Sequence, residues 1–423
     1  MFLQVYQEVT KNLYIFQAFY AEGKLHIMNI KNLFSVSVVL LTILSVSLLG
    51  CERIDQMIPS DTTPPMETTL KIGVIQPLHS YTTFSQGAET ARVQINENGG
   101  VLGMAVEFIT RNNQPIASEP PTPEASIGAA KELIEMENVF ALLGPVRSTM
   151  ALEVGPIAQQ AQRLMLPGSS GSNVPESGDY IFLITVPNPF QGKVMASFAM
   201  NPDELNAKTA ATVYEEGDNY SIDLVQAFEA AFKGIGGQIV HSGSYAAGDT
   251  TFTTLLTEIQ SATPNVIFCP GHQPEVPRLI NEAKQLGIKA TFLGGSAWDD
   301  RERFLGVLSD STMLDGSYYP TNFSVATQDV SVQEFVNGYM ALYDSPPDGV
   351  AASGYDAMRL LARAIETAGS LDPVAVRNAF AEVKDYKGAT TISHYDANRH
   401  PVKSLAIQVI QNGQVQHYKV VEP

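Results

Sequence analysis

"LKIGVIQPLHSYTTFSQGAETARVQINENGGVLGMAVEFIT", Leu70 to Thr110, contains one complete turn of the repeating unit from which the chain is built. "LKIGVIQPL" is a short apolar run rich in β-branched residues, the pattern of a strand buried on both faces. After it Phe84, Ala88, Ala91 and Ile95 follow at spacings of four, three and four, which places them on one face of a helix. "NENGGVLG" ends that helix with glycines, and "MAVEFIT" starts the next strand. Strand, helix, strand in so short a span requires a crossover connection, and hence a parallel sheet with helices covering its faces.

The unit repeats downstream. A helix is expected around Ala125 to Met136, then the strand "VFALLG", a helix from Ser148 and the strand "RLMLPG". After "FLITVPNPFQGK" the alternation restarts with "TAATVYE", a helix from Ser221 to Lys233, "GQIVHSGSY", a helix from Phe252 to Gln260, "NVIFC", a helix from Pro274 to Leu286 and "KATFLGG". Two such series predict two lobes. "DGSYYPTNFS" reads as a return crossing, "ASGYDAMRLLARAIETAG" as a strong helix, and "SLAIQVIQNGQVQHYKVV" as a hairpin turning at Asn-Gly. The predicted fold is therefore α/β with two lobes, 70–187 with 320–390 and 188–319 with 391–423. Crossings are expected near Val186 to Phe190, near Tyr319 to Phe323, and after Tyr386. A cleft between the carboxyl ends of the two sets of strands is the expected ligand site.

Composition narrows the function. The chain has 423 residues and a formal charge of −18, with Lys and Arg scattered, so a nucleic-acid partner is excluded. Its two cysteines, Cys51 and Cys269, lie in unrelated contexts and make no disulfide framework; Cys269, in "NVIFCPG", is expected in the core. "MNIKNLFSVSVVLLTILSVSLLGC" has Lys31, an apolar run from about Leu33 to Leu49, and small Gly50 before Cys51, the layout of a secretory signal. Leu48-Leu49-Gly50-Cys51 resembles the bacterial lipobox, in which the thiol is lipidated and the bond before it is cut. A plain membrane span, which needs roughly 20 apolar residues, has no use for a cysteine at that point. Met28 is then the expected initiator, residues 1–27 an upstream extension, 28–50 the signal peptide and 51–69 a polar Pro/Thr-rich tether, leaving the protein lipid-anchored on the periplasmic side of a bacterial envelope.

No catalytic constellation is present. "GSSGS" lacks the last glycine of a nucleophile elbow, and there is no H-E-x-x-H, no phosphate-binding G-x-x-x-x-G-K and no close pair of metal-binding His or Cys. Neither enzyme activity nor a cofactor or metal is expected. Polar loops after strands do recur. Ser148 stands where a helix should begin, and Gly168, Ser169 and Ser170 make a second loop; together they suit a carboxylate. The second lobe offers Tyr220, His272, and Trp298 with Asp299, an aromatic wall and an anion for an amphiphilic ligand.

"GAETARVQINENGGVLG", "VFALLGPVRSTMALEVGPIAQQAQRLMLPGSS" and "SGYDAMRLLARAIETAGS" resemble the branched-chain amino acid binding proteins, type I periplasmic solute receptors of ABC importers. The resemblance runs from about Leu70 to the C-terminus. It implies two lobes joined by a three-strand hinge, an ABC permease as partner, and a ligand carboxylate held by Ser148, Gly168 and Ser170. It also implies Tyr220 and Tyr81 as ligand-facing aromatics. At the ammonium end the chain departs from the family, with His272 in place of a tyrosine and Ser296 in place of a glutamate, so that Asp299 or Asp300 is expected to supply the charge. The family's first-lobe disulfide has no counterpart, its position being Arg147. The leading expectation is a receptor for a small amino acid, amide or related carboxylate. The alternative is a sensor or cell-wall-synthase activator of the same fold, and a hydrolase is a weaker third reading.

Overall fold

The computed structural model describes residues 69–116 and 120–423. The expected upstream extension, signal peptide, lipidated Cys51 and nearly all of the tether lie outside the described residues. Thr69, assigned to the tether, is the first residue of strand β1. Among the described residues no helix is long and apolar enough to cross a membrane.

The first lobe is a parallel sheet of β1 (Thr69–Gln76), β2 (Ala105–Asn112), β3 (Ala141–Leu143) and β4 (Leu164–Leu166) in the order β2-β1-β3-β4. Helix α1 (Thr83–Glu97) buries Phe84, Ala88, Ala91 and Ile95, the face read from their spacing. Helix α2 (Pro123–Lys131) is capped by Thr122, whose hydroxyl accepts from the Ala125 N–H, and α3 (Ser148–Gln160) follows β3. The second lobe holds a seven-stranded sheet. Its parallel part is β5 (Thr209–Glu215), β6 (Gln238–Tyr245), β7 (Val266–Phe268), β8 (Thr291–Leu293) and β9 (Tyr318–Thr321). Two cores lie on its opposite faces, one around Leu224, Phe228 and Phe268 and the other around Leu256, Leu279 and Phe292. This alternation follows from side chains pointing to opposite faces at successive strand positions. Cys269 is fully buried in the second of these cores, and burial raises its thiol pKa.

The second lobe carries α4 (Asn188–Met200), α5 (Asn219–Gly234), α6 (Thr253–Ala262), α7 (Glu275–Gln285) and α8 (Arg301–Gly306), and the return to the first lobe brings α9 (Val330–Tyr343) and α10 (Gly349–Ala368). The C-terminal boundary needs correcting. Lys384–Lys387, Thr391–Tyr395 and Pro401–Val402 form a small antiparallel sheet of their own, and Ile392 and Tyr395 belong to the first lobe's core. The reason is Asp356 on α10, whose buried carboxylate accepts from the Tyr386 hydroxyl, the Ala389 and Thr390 amides and the Thr390 hydroxyl, fixing this hairpin to the helix. The third crossing therefore falls between Val402 and Leu405, after Tyr386 as expected but beyond the lobe boundary drawn at 390/391. Beyond it Leu405–Gln411 and Gln414–Val421 pair in the second lobe's sheet, turning at Asn412 and Gly413, both with positive φ, as the Asn-Gly pair predicts.

The other crossings run from Ile184 to Val186, which sit in different cores, and from Thr321 in β9 to Phe323 in the first core. Lys403 ties two crossings together, donating to the Ile184 carbonyl at 3.1 Å and the Thr390 hydroxyl at 2.6 Å. Burial pulls its ammonium down to about 8, against the attraction of Asp356. Gln408 joins the remaining crossing through a 3.3 Å bond to the Phe323 carbonyl.

Candidate functional site

A narrow cavity, with about 40 Å³ open to the centres of water-sized molecules, lies at the strand ends where the lobes meet. Tyr81, Ser148, Gly168, Ser169 and Ser170 line it from the first lobe, and Tyr220, His272 and Ser296 from the second. Eight of the ten expected residues are thus brought together.

The first-lobe wall presents unpartnered donors. Helix α3 begins at Ser148 after Arg147, whose side chain does not cap it, so the first-turn amides have no side-chain acceptor. The Ser148 hydroxyl does not cap the helix. It accepts from the Gly171 amide at 3.0 Å, pinning the second serine loop against the helix start. Ser169 Oγ is buried and has no partner among the described residues, an arrangement a ligand acceptor would satisfy.

The second-lobe wall is held from behind. The Tyr220 hydroxyl accepts from the Ala297 amide at 2.9 Å and lies beside the Ser296 hydroxyl; burial raises its pKa despite these bonds. His272 Nδ1 meets the Tyr81 hydroxyl across the cleft at 2.5 Å, and its Nε2 lies 3.3 Å from Asp218. Arg147, at the cavity wall, reaches over to Glu215 at 3.0 Å and Asp218 at 3.5 Å. Burial works against the charged form of Asp218, but His272 and Arg147 outweigh it and hold the carboxyl well below the usual range. Glu215, Asp218 and His272 are spaced to hold a metal ion. The guanidinium of Arg147 already supplies their positive partner.

Two expectations fail. Trp298 is completely buried, stacked on Phe304 at 4.8 Å in the second lobe's core, and makes no wall of the cavity. A four-residue 3₁₀ turn, Ser296–Asp299, points Ser296 at the cleft and Trp298 away from it. Asp299 does not line the cavity either. Its carboxylate is filled by the Tyr319 hydroxyl at 2.7 Å, the Thr321 hydroxyl at 2.6 Å, the Gly349 amide at 2.7 Å and Arg301 Nε at 2.8 Å. The neighbouring Asp300 accepts from the Tyr81 amide at 3.1 Å and from Gln273 at 3.2 Å, and is likewise absent from the cavity wall. Sequence reading missed Thr185, Asn322 and Ser353, which complete the wall near the crossings. The crossings were legible, but which of their side chains turn inward depends on how the lobes meet.

Asp299 and Asp300 in one lobe face Asp348, the cap of α10, in the other. Burial, then these two charges, push the Asp348 carboxyl up, and burial pushes Asp300 up to about 6. A carboxyl raised on folding contributes stability that is fully present below its unfolded value and lost as pH climbs through the folded one. The stability of the wild type is expected to fall between about pH 4 and 6, by at most about 3 kcal/mol from Asp300. Urea denaturation of the wild type and Asp300→Asn across that range checks this. An unchanged slope in the variant would assign the effect elsewhere.

Two α/β lobes, three crossings and a cleft between them are the architecture of a solute-binding protein. The family model for periplasmic binding proteins matches residues 69–414, and the chain belongs to that family, whose members are substrate-binding proteins of ABC transporters and not enzymes. The chain is 26% identical over 313 residues to the Leu/Ile/Val-binding protein homolog 3 of Brucella melitensis biotype 1, covering 72% of this chain and 81% of that one. It is 26% identical over 330 residues to the Leu/Ile/Val-binding protein BraC3 of Rhizobium johnstonii, covering 76% and 86%. Among solved structures, the leucine binding protein LivK of Thermotoga maritima matches with a TM-score of 0.77 at 27% identity, covering 84% of this chain and 99% of that one. LivJ of Streptococcus pneumoniae in complex with isoleucine matches with 0.77 at 25%, covering 84% and 100%.

Proposed function

We propose that the protein is an extracytoplasmic solute receptor, anchored through lipid on Cys51, that closes on a small amino acid, amide or related carboxylate and delivers it to an ABC permease. The observation carrying this reading is the anion seat: the free first-turn amides of α3 beside the partnerless Ser169 hydroxyl, inside a cavity that both lobes complete. A carboxylate there would receive amide and hydroxyl hydrogen bonds together with the favourable end of the helix dipole. Its other end would meet the second lobe, so occupancy bridges the lobes and stabilises the closed form.

A thermal-shift screen of residues 65–423 with amino acids, amides and aromatic acids tests it. A true ligand raises the melting temperature by an amount that grows with its concentration. Ser148→Ala is expected to weaken that ligand about tenfold, because the Gly171 amide and the serine loop lose their anchor. No concentration-dependent shift from any carboxylate would dismiss the reading. Labelling cells with a radioactive fatty acid tests the anchor, which fails if Cys51→Ala incorporates as much label as the wild type.

A further inference from the structure

Of the residues lining the cavity, Arg147 alone carries a permanent charge, and no carboxylate lines it. A ligand ammonium would therefore find no anionic partner at the wall. Asp299, the residue best placed in sequence for that role, has its oxygens engaged by four donors. Arg147 is unusually placed in another respect. Among the described residues every acceptor it has is reached through one nitrogen, Nη2, which serves Glu215 and Asp218. Its Nε and Nη1 have no acceptor, while the residue is 9% exposed and faces the cavity. A guanidinium has five N–H groups in a fixed plane, so anchoring one end presents the others in a set direction.

The charge balance decides what those donors can take. One guanidinium facing two carboxylates leaves the trio with a net negative charge, and both carboxylates belong to the second lobe and meet the arginine at Nη2. A second ligand carboxylate placed at Arg147 would be repelled by Glu215 and Asp218. A neutral oxygen acceptor, such as an amide or ketone carbonyl, gains the charge-assisted hydrogen bonds without that repulsion.

We propose that Arg147 is a specificity-determining residue that donates through Nε or Nη1 to a neutral carbonyl at the distal end of the ligand, so that the preferred solute is a small carboxylate with a distal amide or keto group and no ammonium. This rests on the carboxylate-receptor reading given above and narrows it. Arg147 also pairs across the cleft, so the contact would form as the lobes close, when its fork is held by Glu215.

Calorimetric titration of the wild-type protein with the monoamides of succinic and glutaric acid, the matched alkyl acids butyrate and valerate, the diacids themselves, and leucine provides the test. The monoamide of the fitting length is expected to bind at least about tenfold tighter than the alkyl acid and the diacid of that length. Arg147→Lys keeps a positive charge against Glu215 and Asp218 but removes the planar fork, and should bring the amide-to-alkyl ratio to below about threefold. A crystal structure of the wild type with the monoamide should place its carbonyl oxygen within hydrogen-bond distance of Arg147 Nε or Nη1. Alkyl acids binding as well as amides, diacids or leucine binding tighter, an unaltered ratio in Arg147→Lys, or a carbonyl lodged elsewhere each overturns the assignment while leaving the carboxylate seat intact. Failure of every acid in the set overturns both.

Discussion

Gly354→Ala is expected to cost the protein about 3 kcal/mol of stability, although alanine is the better helix former. Gly354 lies inside α10, and a methyl group added there would stand 1.8 Å from the Phe84 carbonyl oxygen of α1. The contact is reciprocal: a methyl on Gly87 of α1 would stand 1.8 Å from the Ala351 carbonyl oxygen of α10. Both obstacles are main-chain atoms, so no rotamer change relieves them. The two helices must move apart, and the packing of Phe84, Ala88, Tyr355 and Met358 opens with them. Overpacking typically costs about 1–3 kcal/mol and more where backbone must shift, against a helix-propensity gain of at most about 1 kcal/mol. Gly128 in α2 provides the control, since a methyl there meets nothing within 4 Å. Gly128→Ala should raise stability by about 0.5–1 kcal/mol. Urea unfolding followed by circular dichroism distinguishes the two, and equal effects would mean that the helix contact is looser than described.

Asp299→Ala is expected to destabilise by about 3–5 kcal/mol. The substitution leaves the partly buried Arg301 guanidinium without its carboxylate and strands the Tyr319 and Thr321 hydroxyls and the Gly349 amide. Removing one partner of a buried pair is costly because the remaining charge stays out of water. Gly349 begins α10 in the first lobe while Asp299 belongs to the second, so the loss also weakens the seam between lobes. The chain's single tryptophan, Trp298, adjoins the lesion and is fully buried, so its fluorescence reports the unfolding of the second lobe directly. Asp299→Asn retains two acceptor sites and should fall between the variant and the wild type. Should Asp299→Ala unfold at the wild-type denaturant concentration while selectively losing affinity for cationic ligands, the residue is a ligand partner after all.

Asp299 also marks where sequence reading stops. An aspartate beside a tryptophan after a strand has the composition of a binding site, and the same composition serves a core turn. In the 3₁₀ turn the four residues from Ser296 point in different directions, and one step of rotation separates a cavity residue from a buried one. Arg147 errs the other way. It was noted only as the place of a missing disulfide, because its importance depends on Glu215 and Asp218, 68 and 71 positions later. The Thr391–Tyr395 strand fell in the range assigned to the second lobe because no local pattern marks where the chain crosses between sheets.

By itself the sequence determined the strand–helix alternation that builds both lobes, the buried face of α1, the Asn-Gly hairpin and the serine loops at strand ends, since these depend on periodicity and turn chemistry within a few residues. The tertiary structure alone decided which side chains meet across the cleft, which carboxylates are already saturated, and that an arginine faces the cavity where an anion was expected. Those outcomes are set by how the two lobes meet. Contacts of that kind join residues tens to hundreds of positions apart, so no local pattern encodes them.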